Sequence, residues 1–550
     1  MLLPNYLLNY LVFVTSSFLL FLSFYYDIIF KDNLNGSDFV RILTVENSRL
    51  VEKYANEKGL SYLQLMDNAG SRCAAIIKKT FENTNKRKIL IVCGNGNNGG
   101  DGFVIARKLF QDDYDVTIMI SNGLPGTDIA QEMLSTVREL GIPIIYYDSH
   151  KNHDSYFNDC QIIIDCIFGV GFHGSVDDDT AAIIENINKS SASVISIDLP
   201  SGLSGNSSSI ENTHVKADMT IAVMALKPVH VLKPSSHECG KLMVADIGIP
   251  ENCFGKVESP LFTLTEDEIS SFFPERDYES NKGTFGTVLL IGGSYEMPNA
   301  VVMASKAAVN CGAGIVKIAF PDKAYSAIAP KTMEQILIPL YTNNKGHISV
   351  NSLQKIANEM QKCSCVAIGC GMGVDKDTKT ITEYVIKNSP VPVIIDADAI
   401  NSIKDNSELI NEAKSDIIIT PHPGEMARLA KSDIASIQEN RGATVKGFTD
   451  THKSILVLKG SSTMVGSSEY DDIYVNNTGN PGMATGGMGD VLTGIIASFL
   501  AQGIEPYKSA IAGVYLHGLA GDKVSENDSM MGNTPSKLID ALPQILKRLE

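Results

Sequence analysis

Gly479-Asn480-Pro481-Gly482-Met483-Ala484-Thr485-Gly486-Gly487-Met488-Gly489-Asp490 runs straight into the apolar helical pattern Val491-Leu492-Thr493-Gly494-Ile495-Ile496-Ala497. Repeated glycine allows positive φ and close backbone approach, and the helix N-terminus that follows offers unpaired N–H groups. The stretch therefore predicts an anion cradle suited to phosphate. Asp490 stands at its lip. An acid there adds repulsion to bound phosphate, so its uses are proton abstraction from a substrate hydroxyl or metal holding. A helix-start acid after a flexible loop is the bland alternative.

Around that stretch, 550 residues exceed what one hydrophobic core supports, so two or more domains are expected. A balance of 46 basic against 63 acidic residues gives a formal net charge of -17, which argues against nucleic acid or anionic lipid as the main partner. The ten cysteines lack the spacing of zinc sites or of a small disulfide scaffold, and read as reduced core thiols of a cytoplasmic protein. Leu7 to Tyr26 is uncharged, mostly apolar and long enough to span a bilayer, although no basic residue precedes it. Residues 1–39 thus form a hydrophobic extension outside the fold proper. It is a membrane tether through 7–26, an uncleaved targeting segment, or translated upstream sequence.

From Val40 onward, strand and helix signals alternate. Ile89 to Cys93, Val116 to Ile120, Ile142 to Tyr146, Ile162 to Asp165, Val194 to Asp198 and Met219 to Val223 are short β-branched runs separated by helical stretches or glycine loops. Thr44 opens one helix, Ser61 caps a second, and Phe103 to Phe110 forms another. The charge-rich segment 251–283, with Pro260 and Pro274, is a linker and the start of a second domain. A second series follows with strands at Thr287 to Ile291, Ile315 to Phe320, Cys365 to Ile368, Val393 to Asp396, Ile417 to Thr420 and Ile455 to Leu458. The fold class is α/β in two domains, the first a parallel sheet covered by helices and the second a further α/β series.

In the first series, Gly94-Asn95-Gly96-Asn97-Asn98-Gly99-Gly100-Asp101-Gly102 reads as a loop between strand and helix, and its spacing fits a plain dinucleotide fingerprint poorly. Its asparagines suit a nucleotide phosphate or a hard cation. Asp165 opens a glycine-rich loop to Gly174, and Asp198 opens Asp198-Leu199-Pro200-Ser201-Gly202. In a parallel sheet these three loops crowd one carboxyl edge.

These motifs resemble the epimerase domain of the bifunctional NAD(P)H-hydrate repair enzymes over residues 40–250. The resemblance implies a Rossmann-like three-layer α/β/α domain. It places hydrated NAD(P)H on Asn97, Asn98, Gly99, Gly100 and Asp101, and on Gly169, Val170, Gly171, Phe172, His173, Gly174 and Ser175, with Asp198 contacting the substrate. It puts potassium on Asn98, Asp165 and Ser201. Asp198 is the leading acid or base for interconverting the R and S hydrates.

In the second series, Thr420-Pro421-His422-Pro423-Gly424-Glu425-Met426-Ala427-Arg428 is another strand-to-helix junction, and Lys459-Gly460-Ser461-Ser462-Thr463 closes a strand with a cation and small hydroxyls. Asp396 and Asp398 could cap a helix or hold a metal. Residues 284–550 resemble the ribokinase-like dehydratase half of the same enzymes. ADP or ATP, with magnesium left open, would lie on Lys459, Gly460, Ser461, Ser462 and Thr463 and on Asn480, Pro481, Gly482, Met483, Ala484, Thr485, Gly486, Gly487, Met488 and Gly489. The hydrate would meet Ala300, Gly373, His422 to Arg428 and the catalytic Asp490. The chain departs from the family at Cys370, where proline is common, and at Met488, where threonine is common. A homo-oligomer is expected. A ribokinase-like kinase of a small alcohol and a non-catalytic nucleotide-binding sensor are the competing readings.

Overall fold

The computed structural model describes residues 40–257 and 260–549. The chain divides into two compact units between Ser259 and Pro260, inside the charge-rich 251–283 segment. The apolar run Leu7 to Tyr26 lies outside the described residues. Among the described residues no helix is long and apolar enough to cross a membrane.

The first unit contains β1 (Val40–Ile42), β2 (Lys88–Cys93), β3 (Asp115–Ile120), β4 (Ile144–Tyr146), β5 (Ile162–Cys166), β6 (Ser193–Ile197), β7 (Met219–Val223) and β8 (Lys241–Ala245). Strands β2 to β8 make one sheet in the order β4-β3-β2-β5-β6-β7-β8, with every neighbouring pair parallel. Alternation along the strands builds two cores. Ile89, Ile91 and Cys93 pack with helices Tyr62–Phe81, Asn97–Gln111 and Asp128–Glu139. Leu90 and Val92 turn to the other face, with Phe157, Ile183, Ile184 and Ile187. The result is three layers, with both faces buried as a parallel sheet requires. The strand order reverses between β2 and β5, and a ligand crevice is expected outside the carboxyl ends there.

The second unit carries β9 (Leu261–Thr263), β10 (Thr287–Ile291), β11 (Ile315–Pro321), β12 (Ile336–Leu340), β13 (Cys365–Ile368), β14 (Val393–Ile395), β15 (Ile417–Ile419), β16 (Ile455–Leu458), β17 (Met464–Ser467) and β18 (Tyr470–Val475). They run in the order β9-β18-β17-β16-β15-β14-β13-β10-β11-β12. Pairing is parallel from β12 to β16 and antiparallel through the β16-β17-β18 meander. Here the order reverses between β10 and β13. The buried helix Met488–Ala501 packs on helix Pro298–Asn310, where a Cβ at Gly494 would lie 2.0 Å from the Ala304 carbonyl oxygen.

The elements depart from the sequence reading in two ways. The asparagine-glycine stretch is not a loop up to Gly102, because the helix begins at Asn97. Gly99 serves packing rather than positive φ: a Cβ there would stand 2.1 Å from the Gly94 carbonyl oxygen. Strands β1, β8, β9, β12, β17 and β18 were not anticipated. Pro339 interrupts β12, Gly466 interrupts β17, and Asp471 and Asp472 mask the exposed start of β18.

Candidate active sites

In the first unit the three loops meet at the sheet's carboxyl edge. Asp165, at the end of β5, is fully buried and accepts from Ser201 Oγ at 2.6 Å, Ser201 N at 2.9 Å, Ser196 Oγ at 2.8 Å and Ile167 N at 3.2 Å. Burial nevertheless pushes its carboxyl above the usual range, opposed by the Ser201 and Ser196 bonds. Ser201 Oγ also accepts from Phe168 N at 2.8 Å. Asn98 reaches the same place. Its Nδ2 donates to Phe168 O at 2.9 Å and Ile197 O at 3.2 Å, while its buried Oδ1 has no partner. A buried amide oxygen without a donor is costly, and a cation satisfies it. Asn97 turns elsewhere, accepting from Thr127 Oγ1 at 2.9 Å.

Asp198 follows β6 with φ of 68°, a conformation that costs a non-glycine residue about 1 kcal/mol or more. Three contacts hold it. Lys227 Nζ lies 2.6 Å from Oδ1, Val170 N donates to Oδ2 at 3.0 Å, and His230 Nε2 lies 2.7 Å from the backbone oxygen. His230 Nδ1 accepts from Lys227 N at 2.9 Å, so the proton sits on Nε2. Burial, reinforced by Lys227, lowers that imidazole to about 4, so the ring is neutral. The Val170 contact ties the Gly169 to Ser175 loop to Asp198, and Phe168 and Phe172 stack at 4.5 Å beside it. Sequence reasoning missed Lys227 and His230. A lysine only 2% exposed was the available signal only once the fold was known.

In the second unit, Asp396 follows β14 and is buried. Its Oδ1 receives Lys459 Nζ and Thr420 Oγ1, each at 2.8 Å, and its Oδ2 receives Thr493 Oγ1 at 2.8 Å. It makes no helix-capping bond. This one carboxylate joins the end of β16, the end of β15 and helix Met488–Ala501. Asp490 lies in that helix's first turn, after Gly487 at φ 97°. Ligand atoms of Cys370, Asp396 and Asp490 lie within 4.8 Å of one another. Burial first, and then the Asp396 charge, raise the Asp490 carboxyl from 3.8 to about 7. A helix N-terminus stabilises an anion by roughly 1 kcal/mol, so desolvation wins by a wide margin.

The other predicted residues gather around this centre. A Cβ at Gly489 would lie 3.3 Å from Lys459 Nζ, which brings the Gly479 to Asp490 stretch onto the lysine. Ala300 packs on the turn after β13, 2.7 Å from the place of a Cβ at Gly371, and Gly373 N donates to Asp398 Oδ2 at 2.8 Å. His422 caps helix Pro423–Leu429 through Nδ1, which accepts from Gly424 N at 3.0 Å, and leaves Nε2 3.4 Å from Glu425 Oε1. Arg428 Nε donates to Asn401 Oδ1 at 2.9 Å. Beyond Lys459, Thr463 Oγ1 closes on Gly460 O at 3.0 Å, and Arg441 holds Leu458 O at 2.8 Å and Ser462 O at 3.0 Å. Asp522 fixes the far end of the glycine stretch, accepting from Gly479 N at 2.7 Å and Asn480 Nδ2 at 2.8 Å. Asp522, Thr493, Thr420 and Arg441 were not foreseen from sequence.

A family model described as NAD(P)H-hydrate dehydratase matches residues 288–544, and one described as YjeF-related protein N-terminus matches residues 62–229. The bifunctional NAD(P)H-hydrate repair enzyme Nnr of Moorella thermoacetica is 33% identical, covering 92% of this chain and 97% of its own. The enzyme of the same name from Escherichia coli is 29% identical, covering 90% and 91%. Among solved structures, an ADP/ATP-dependent NAD(P)H-hydrate dehydratase from Bacillus subtilis co-crystallised with ATP and Mg2+ is 30% identical and covers 52% of this chain and 98% of its own, with a TM-score of 0.47. With two family models in tandem and 33% identity along almost the whole of both chains, this protein belongs to the bifunctional NAD(P)H-hydrate repair enzymes.

Proposed function

We propose that the first unit interconverts the R and S hydrates of NAD(P)H and that the second dehydrates the S form to NAD(P)H at the expense of ADP or ATP. The observation that carries this reading is Asp490, a half-buried acid on the lip of a glycine-rich helix start, facing a lysine fixed by Asp396. With a carboxyl near 7, Asp490 takes the proton of the ring hydroxyl as that oxygen attacks the terminal phosphorus of the nucleotide and breaks its bond to the bridging oxygen, releasing ADP from ATP or AMP from ADP. Lys459 and the N–H groups from Asn480 to Gly489 hold the phosphates. The phosphate ester so formed leaves as inorganic phosphate while the ring loses a proton and regains its double bond. Magnesium accompanies the nucleotide. The two-unit likeness does not favour a small-alcohol kinase.

Potassium belongs to the first unit in this reading. Asn98 Oδ1, Asp165 and Ser201 form an all-oxygen set with one carboxylate, which suits a weakly held monovalent cation better than a transition metal. The ion supplies fixed positive charge at the loop that holds the hydrate. Purified full-length chain given S hydrate and ADP or ATP should release one inorganic phosphate for each NAD(P)H regained. Phosphorylated hydrate accumulating without NAD(P)H would make it a kinase instead.

A further inference from the structure

Two acids of the first site have opposite surroundings. Asp198 carries a buried ammonium 2.6 Å from one oxygen and a backbone amide 3.0 Å from the other. Asp101, one turn into helix Asn97–Gln111, receives no hydrogen bond or ion pair on its carboxyl among the described residues. It stands three residues after Asn98 on that helix, the spacing that sets two side chains on one face, and Asn98 Nδ2 reaches Ile197 O beside Asp198; Asp101 is within electrostatic reach of Asp198, Glu52 and Lys227. Burial, then the charges of Asp198 and Glu52, push the Asp101 carboxyl well above the usual range. Burial acts on Asp198 too, but there the Lys227 ammonium prevails and holds the carboxyl below its ordinary value. Paired acids driven apart in this way are how one site keeps both a proton donor and a proton acceptor.

We propose that Asp101 is the proton donor, and Asp198 the proton acceptor positioned by Lys227, in the epimerisation of the hydrated nicotinamide ring. The assignment rests on the epimerase reading above. Asp101 gives its proton to the hydroxyl on the hydrated carbon. The C–O bond breaks with its electron pair leaving on water, and the ring nitrogen's lone pair forms a C=N bond. Water then adds to the opposite face, the C=N pair returns to nitrogen, and Asp198 takes the proton that the new oxygen releases. One water leaves and one enters, and one proton has passed from Asp101 to Asp198; exchange with solvent or a turnover in the other direction resets the pair. Asp198 keeps a free lone pair on each oxygen for this purpose. Lys227 is a positioning residue, since its ammonium is spent on Asp198 and on Val223 O at 2.8 Å.

The test uses the full-length chain and R hydrate in heavy-oxygen water. The unaltered protein should place solvent oxygen on the ring as fast as it epimerises. Asp101→Asn should slow both by about a hundredfold or more, while calorimetric binding of the equilibrated hydrates changes by less than about threefold and Asp101→Glu keeps measurable turnover. Glu52→Gln is the control, because Glu52 on helix Val45–Glu57 is also raised by burial. The proposal is overturned by near-normal epimerisation in Asp101→Asn, by loss of hydrate binding together with turnover, by epimerisation without oxygen exchange, or by a loss confined to Glu52→Gln. An unaltered protein that fails to epimerise at all refutes the epimerase reading itself.

Discussion

Replacing Asp490 by asparagine should destroy dehydration and stabilise the fold at the same time. The carboxyl is raised from 3.8 to about 7, with burial the larger cause and Asp396 the second. At 1.36 kcal/mol per pH unit, that displacement is a penalty on the order of 4 kcal/mol for holding the ionised group in the folded state. Below pH 3.8 folded and unfolded chains are both protonated here and the penalty vanishes. As pH rises from 3.8 to about 7 the unfolded chain gives up its proton first, so stability falls; above that it is constant. Asparagine cannot ionise. Asp490→Asn should therefore raise the melting temperature of the residue 260–550 unit by up to roughly 10 °C at pH 8 and by almost nothing at pH 4. Its dehydration rate should drop by about a hundredfold to ten-thousandfold. In the unaltered protein kcat/KM for S hydrate should climb about tenfold between pH 6 and pH 8, as the ionised fraction rises from roughly a tenth to nine-tenths. Thermal melts at the two pH values and a pH series of initial rates read all three effects. A variant whose gain in melting temperature over the unaltered protein is no larger at pH 8 than at pH 4, or a rate flat across pH 7, refutes the reasoning.

Three other outcomes follow from the same contacts. Asp396→Asn removes the charge that helps to raise Asp490 and unpairs Lys459, so the midpoint of the dehydration pH profile should move below 7. An unmoved midpoint would exclude the coupling. Asp522→Ala takes the acceptor from Gly479 N and Asn480 Nδ2 and should raise KM for the nucleotide about tenfold, leaving epimerisation untouched. Ser201→Ala should abolish the potassium dependence of epimerisation while S-hydrate dehydration keeps its rate, and an unchanged potassium response would empty the proposed ion site.

Much of this architecture is legible in the sequence because buried parallel strands are short β-branched runs that end in glycine or an acid. Strands β2, β5, β6, β10, β13 and β14 read that way, and the acids Asp165, Asp198 and Asp396 mark the site edges. Strands towards the ends of the sheet are less regular: β12, at one edge, carries a proline, and β18 carries two exposed aspartates near its start. Residue types such as Asn98, Asp165 and Asp490 were visible, but their partners were not. Lys227 stands 29 positions from Asp198, and Thr493 stands 97 from Asp396. Such pairs depend on which strands the sheet makes neighbours, and no local pattern records that. The helix starting at Asn97 was misread for a related reason, since glycines that allow close packing resemble glycines that make turns.

Pure R hydrate, given to the full-length chain with ADP or ATP and followed by the return of reduced-nicotinamide absorbance, engages both units in one reaction. All of it should become NAD(P)H, while Asp198→Asn should leave R hydrate at its slow spontaneous rate and still dehydrate S hydrate normally. An Asp198→Asn chain that clears R hydrate as fast as the unaltered protein, or an unaltered chain that consumes only S hydrate, would contradict the assignment of epimerase and dehydratase to the two units.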